Sequence, residues 1–326
     1  MAVYTSLTPE EIAAWLAQHY ALGRLVAAAG IAAGVENTNY RLVTQGENGA
    51  ETRTILTIYE KRMNPAELPF FLALMQHLAR QGIACPQPIA RKDGGLLGML
   101  AGKPAALVSF LEGASRDRWT AAHVEQVGAA LGALHRASED FTGTRPNALS
   151  FEGWSTLSTA LRGKLDTIAP GLERLVDEEL AHWAAHGPML AALPRGVIHA
   201  DLFPDNVFFD GDRLSGVIDF YFACTDALAY DVAVTLNAWC FAPDGTLDTA
   251  KVEALLAGYQ RVRPLSAAEL TALPILLRGA ALRFLLTRSY DWLHHPPDAL
   301  VTPHDPLDYA VKLRVHRQSG WVVSGG

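Results

Sequence analysis

Residues 196–209 read Gly196-Val197-Ile198-His199-Ala200-Asp201-Leu202-Phe203-Pro204-Asp205-Asn206-Val207-Phe208-Phe209, and Gly216-Val217-Ile218-Asp219-Phe220 follows closely. An apolar run delivers a loop carrying an imidazole, a carboxylate and an amide. Asp210-Gly211-Asp212 then supplies turn residues, and a second apolar run ends on Asp219. Folded as a hairpin, the two runs are expected to bring Asp201, Asn206 and Asp219 to one edge. A carboxylate in such apolar surroundings is costly to bury without a partner, so Asp201 should face a cleft or a cation. One carboxylate beside an Asn–Asp pair suits phosphoryl transfer. Asp201 would accept the proton of a substrate hydroxyl, while Asn206 and Asp219 would hold Mg2+ on a nucleotide. His199 is read as support for the loop, and Asp205 as either a turn cap or a substrate contact.

The chain has 326 residues, which suits one large domain or two lobes and allows a sizeable core. A net charge of −7 argues against a nucleic-acid binder, which would carry a basic face. Three scattered cysteines, Cys85, Cys224 and Cys240, read as reduced core residues and not as a disulfide frame or a zinc site. Neither a signal pattern nor an uncharged apolar run of membrane-spanning length is read, so no membrane partner and a cytoplasmic location are expected. Monomer and homodimer are both compatible with the sequence.

From the catalytic stretch toward the N-terminus the pattern is strand-rich. Thr8-Pro9-Glu10-Glu11 opens a helix with a capping box. Strands are expected over residues 25–31, 40–44 and 54–59, with Gly46-Glu47-Asn48-Gly49 turning the last two. The polar loop before residue 40 ends in Asn37, Thr38 and Asn39, which could donate to phosphate. A helix over 65–81 has Glu67 in its first turn. Residues 105–113 read as a buried strand running into a hinge. Gly98 to Lys103 is no Walker loop, because Pro104 stands where a Ser or Thr must hold magnesium. Beyond the hinge the chain is helical, with helices expected over 120–137, 171–186, 227–240, 248–262 and 267–294, the last kinked at Pro274. Arg278, Arg283 and Arg288 lie five apart on that last helix. Each step rotates by about 140°, so the three cannot share a face. Arg283 or Arg288 could grip a carboxylate, and Arg288 could instead pair with Asp291. The expected fold class is α+β and two-lobed, with residues 1–110 as an antiparallel-sheet, nucleotide-binding lobe and 111–326 as a helical, catalytic lobe.

These residues resemble the aminoglycoside phosphotransferase and choline kinase superfamily, whose fold is that of protein kinases. Gly34-Val35-Glu36-Asn37-Thr38-Asn39-Tyr40, Leu56-Thr57-Ile58-Tyr59-Glu60-Lys61, Arg283-Phe284-Leu285-Leu286-Thr287-Arg288 and Val301-Thr302-Pro303-His304-Asp305-Pro306 are similar to segments of the kinase-fold homoserine kinases. The resemblance implies ATP as co-substrate and Mg2+ as cofactor, with L-homoserine as the small-molecule acceptor. It also implies adenine bonds to the hinge backbone at Ser109, Phe110 and Leu111, and a structural role for Asp231. One position departs: the third-strand lysine of protein kinases falls on Thr57. Either Lys61 reaches back, or the loop at Asn37 to Asn39 takes over the phosphate grip, and a Lys pair with Glu67 is left open. Trp154, Trp239, Tyr221 and Trp292 keep open a choline or ethanolamine kinase, and Thr57 keeps open an idle nucleotide binder.

Overall fold

A computed structural model describes residues 4–31, 37–60, 64–295 and 302–318. The chain divides into two compact units, Met1–Glu112 with Gly216–Ile218, and Gly113–Ser215 with Asp219–Gly326.

The first unit is built on a five-stranded antiparallel sheet. Its strands are β1 (Arg24–Ile31), β2 (Thr38–Gln45), β3 (Glu51–Ile58), β4 (Gly98–Leu100) and β5 (Lys103–Ser109), in spatial order β1-β2-β3-β5-β4. Helix α1 (Pro9–His19) starts at the expected capping box, with Thr8 and Glu11 each bonding the other's backbone N–H. Its buried Ile12, Trp15 and Leu16 pack with Tyr40, Leu42, Leu56, Ile58 and Leu107. Alternation in the strands puts these residues on one sheet face. Asn39, Thr57 and Ala106, which are register partners across β2, β3 and β5, therefore share the opposite face. Helix α2 (Leu68–Arg80) buries Leu68, Phe71, Leu72, Met75 and Leu78 at helical spacing, after a 3-10 turn over Pro65–Glu67. The backbone N–H of Val217 donates to Ala84 O at 2.9 Å, tying the returning segment into this unit.

The second unit is mainly helical: α3 (Ala121–Ala137), α4 (Phe151–Leu161), α5 (Leu165–Ile168), α6 (Leu172–Ala185), α7 (Gly187–Ala191), α8 (Leu228–Trp239), α9 (Thr249–Val262), α10 (Ala267–His294) and α11 (Leu307–Gln318). Four short strands lie among them: β6 (Arg195–Ile198), β7 (Val207–Asp210), β8 (Arg213–Val217, whose last two residues belong to the first unit) and β9 (Cys224–Ala227). Helix α8 is buried along nearly its whole length, which is why its sequence is apolar all round. Helix α10 runs as one element through Pro274. It is long and apolar enough to cross a membrane, but 67% of that apolar window is buried inside the fold. Helices α4, α5, α7 and α11 were not expected from the sequence. Helix α11 hides its apolar positions, Tyr309, Ala310 and Leu313, in a largely polar segment.

Helices α3 and α9 touch backbone to backbone. A Cβ on Gly128 would stand 2.1 Å from Leu255 O, and one on Gly258 2.0 Å from Glu125 O. Only glycine allows that approach. Gly128→Ala is expected to cost about 3 kcal/mol through overpacking, read as a fall in the urea midpoint. An unchanged midpoint would contradict the backbone contact.

Candidate active site

The catalytic stretch does not fold as one hairpin. Strand β6 pairs antiparallel with β9, with Ile198 opposite Cys224 and Val197 opposite Thr225, while β7 pairs with β8. The expectation that both apolar runs belong to one hairpin is thereby corrected, because the first run finds its partner beyond Asp219. The loop between β6 and β7 carries His199, Asp201 and Asn206. At Ala200 the backbone enters the left-handed region (φ 63°), a conformation costing a non-glycine residue about 1–2 kcal/mol.

One side chain holds that turn. The carboxylate of Asp231, on α8, accepts the backbone N–H of His199 at 2.6 Å and of Ala200 at 2.8 Å. Asp231 is fully buried, and burial alone would push its pKa up. The hydrogen bond and charge of His135, the charge of His199 and the loop N–H together outweigh burial and hold it below the usual Asp range. His135 Nε2 lies 3.1 Å from Asp231, and its Nδ1 lies 2.8 Å from the Tyr259 hydroxyl. Arg263 donates to that hydroxyl at 3.0 Å and to buried Glu269 at 2.9 Å. The sequence reading missed His135, although an imidazole continuing the apolar face of Val124, Val127 and Leu131 was a visible signal.

Around the clamp the loop closes on itself. The N–H of Asp201 donates to His199 Nδ1 at 3.2 Å, and the His199 ring sits 4.9 Å from that of Phe220. Asn206 Nδ2 donates to Asp201 O at 2.9 Å and to Asp201 Oδ2 at 3.3 Å. Its Oδ1 accepts nothing among the described residues and remains available to a cation. Asp219, directly before Phe220, is itself left-handed (φ 63°). Among the described residues there is no group of three or more His, Cys, Asp or Glu side chains for a metal. One carboxylate and one amide oxygen suit Mg2+, which keeps waters and phosphate oxygens as its other ligands.

Arg283 is 2% exposed, donates to Ala200 O and lies 4.0 Å from Asp201 Oδ1. It therefore serves the loop first. Arg288 binds Asp305 O and Asp308 at 3.2 and 3.3 Å, in place of the Asp291 pair considered from the sequence. Asp205 is exposed and Tyr221 half-buried on short 3-10 turns flanking the site residues. Trp154 and Trp239 are each 1% exposed and donate to Leu149 O and Leu202 O. Neither presents a face to a cationic substrate.

In the first unit, Thr38 is 0% exposed; its hydroxyl accepts the N–H of Tyr4 and Thr5 and donates to Glu60 at 2.8 Å. Its hydroxyl is therefore not left for phosphate, which corrects the expectation for that side chain. Asn37 accepts the N–H of Glu60 at 3.3 Å, and Asn39 accepts the hydroxyl of Thr57 at 2.8 Å. Lys103 pairs with Glu60. Glu67 caps α2 without a side-chain capping bond, and Lys61 lies outside the described residues. Ser109 ends β5, and Phe110 lies under the Arg53 guanidinium at 4.9 Å, with Leu111 following.

The clamp has a pH signature. Because the folded pKa of Asp231 is below its free value of 3.8, its stabilisation is complete above that value and lost as pH falls through the folded pKa. The urea midpoint of the wild type should drop more steeply below about pH 4 than that of Asp231→Asn. Equal slopes would contradict a charged clamp.

Comparison with known proteins gives the family. Residues 27–265 match the phosphotransferase enzyme family. The chain is 57% identical to homoserine kinase of Azorhizobium caulinodans, over 97% of this chain and 96% of that protein. It is 56% identical to homoserine kinase of Chelativorans sp., over 98% and 96%. Among solved structures it is similar to the amicoumacin kinase hAmiN in complex with AMP-PNP, Ca2+ and Ami, with a TM-score of 0.67 at 17% identity, over 95% and 92%. A left-handed loop clamped by a buried acid, family similarity through both units and identity along the whole chain lead to one conclusion: the chain belongs to the phosphotransferase enzyme family and, within it, to the homoserine kinases.

Proposed function

We propose that this protein is a cytoplasmic, ATP- and Mg2+-dependent kinase that phosphorylates the side-chain hydroxyl of L-homoserine, a step of threonine biosynthesis. The observation that carries the reading is the Asp201 carboxylate on its clamped loop, with Asn206 bonded to it and an amide oxygen left over.

Asp201 accepts the proton of the acceptor hydroxyl and holds that oxygen in line with the γ-phosphorus. The new O–P bond forms as the bond to the β-phosphate oxygen breaks, and the proton passes from Asp201 to solvent. The transition state is loose, so positioning and charge neutralisation matter more than base strength. Asn206 and Asp219 would hold the ion. Magnesium, when bound, offsets charge on the phosphate oxygens. Nucleotide duties fall to the first unit, with adenine on the backbone of Ser109, Phe110 and Leu111. Thr57 and Asn39, on the sheet face away from α1, contribute to the phosphate grip together with Lys61, while Asn37 and Glu67 frame it. Asp205 and Tyr221 are assigned to the acceptor side. The buried Trp154 and Trp239 weigh against the choline or ethanolamine reading.

A coupled ADP-release assay across homoserine, choline, ethanolamine, aminoglycosides and methylthioribose should give turnover with homoserine. Turnover of another acceptor with none of homoserine would overturn the substrate assignment. Asp201→Asn should lower kcat by about 10²–10⁴-fold while ATP binding persists. Normal turnover in that variant would remove Asp201 from the role of base.

A further inference from the structure

The three arginines of α10 have separate fates. Arg278 grips buried Glu179 with two bonds of 2.7 and 2.8 Å, and Arg283 donates from Nη1 to Ala200 O, its buried Nε finding no partner among the described residues. Arg288 is different. It lies four residues beyond Phe284 and so on the same helix face, and its guanidinium carbon stands 4.6 Å from the centroid of the Tyr309 ring. Its side chain is 16% exposed, and both of its hydrogen bonds leave from Nη1. Nη2 and Nε, with which a guanidinium takes a carboxylate two-handed, have no hydrogen-bond partner among the described residues.

A second cation shares that ring. Lys312 Nζ is 4.4 Å from the Tyr309 centroid and 5.3 Å from that of Phe241, and it donates once, to Asn237 O at 2.8 Å. Burial and then the charge of Arg288 push the Lys312 pKa down to about 8. The only carboxylate bonded to either cation among the described residues is the exposed Asp308. Tyr309 is 0% exposed, and its hydroxyl finds no hydrogen-bond partner among the described residues. An unmet buried hydroxyl is costly, so a molecule that supplies an acceptor recovers that loss. Two underused cations and an unmet O–H donor describe a receptor for an anion.

The cluster is close to the reacting end. The Tyr309 ring is 5.0 Å from Phe284, Arg283 lies 4.4 Å from Phe284, and Arg283 reaches Asp201 at 4.0 Å. A short series of contacts thus links Asp201 to α11 through Arg283 and Phe284.

Resting on the homoserine reading, we propose that Arg288, Lys312 and Tyr309 form the subsite for the α-carboxylate of the acceptor amino acid. An amino alcohol lacking that group leaves both cations and the hydroxyl unmet, which is how such a site rejects a close analogue.

The test compares kcat/KM for L-homoserine and for its decarboxylated analogue 3-aminopropanol in the wild type, Arg288→Met and Arg288→Lys. For Arg288→Met the homoserine value should fall about 100-fold, mostly through KM, as expected when one member of a desolvated charge pair is removed. The 3-aminopropanol value should change less than about threefold, the KM for ATP should hold, and Arg288→Lys should fall between, because it keeps the charge and loses the fork. Parallel losses on both acceptors, or an unchanged homoserine KM, would overturn the subsite while leaving the kinase reading intact. Absence of homoserine turnover in the wild type would overturn the acceptor reading and the carboxylate subsite together.

Discussion

The second unit depends on two hydrogen bonds, those that the Asp231 carboxylate accepts from the backbone of His199 and Ala200. A fully buried carboxylate is tolerable only when its lone pairs are met, and here the donors are the chain that must be held. The bonds offset the left-handed strain at Ala200, and that strain aims the next residue, Asp201, out of the β6 direction. Much of the surrounding architecture serves the clamp. Helix α8, buried through its apolar residues, carries Asp231 into the interior behind the loop. The close glycine approach of α3 and α9 brings His135 and Tyr259 within 2.8 Å of each other, behind the acid. Arg263 and Glu269 close the network at its far end with a buried ion pair.

Local features of this fold were legible in the sequence, and long-range ones were not. Apolar periodicity located the sheet strands and most helices, since burying one face requires it. The spacing of Asp201, Asn206 and Asp219 pointed to the chemistry. The pairing of β6 with β9 was hidden, because a strand's partner is chosen by the whole fold and not by the nearest turn. Thr38 was misread for a related reason. A hydroxyl next to a polar loop looks free in sequence, and only the fold shows Tyr4, Thr5 and Glu60 using it. Helix α11 escaped notice because its few apolar positions sit among charges, so Tyr309 and Lys312 were unseen as neighbours of Arg288.

Helix α10 shows how one element distributes roles. Arginines spaced by five turn by about 140° at each step, so each meets different surroundings. Arg278 ties α10 to α6 through Glu179, Arg283 braces the catalytic loop and Arg288 meets α11.

The most direct test of the account is a crystal structure with L-homoserine, Mg2+ and a non-hydrolysable ATP analogue bound. The account predicts the homoserine hydroxyl within hydrogen-bonding distance of the Asp201 carboxylate, with the metal on Asn206 and Asp219. A hydroxyl bound away from Asp201, or a metal on other ligands, would contradict it.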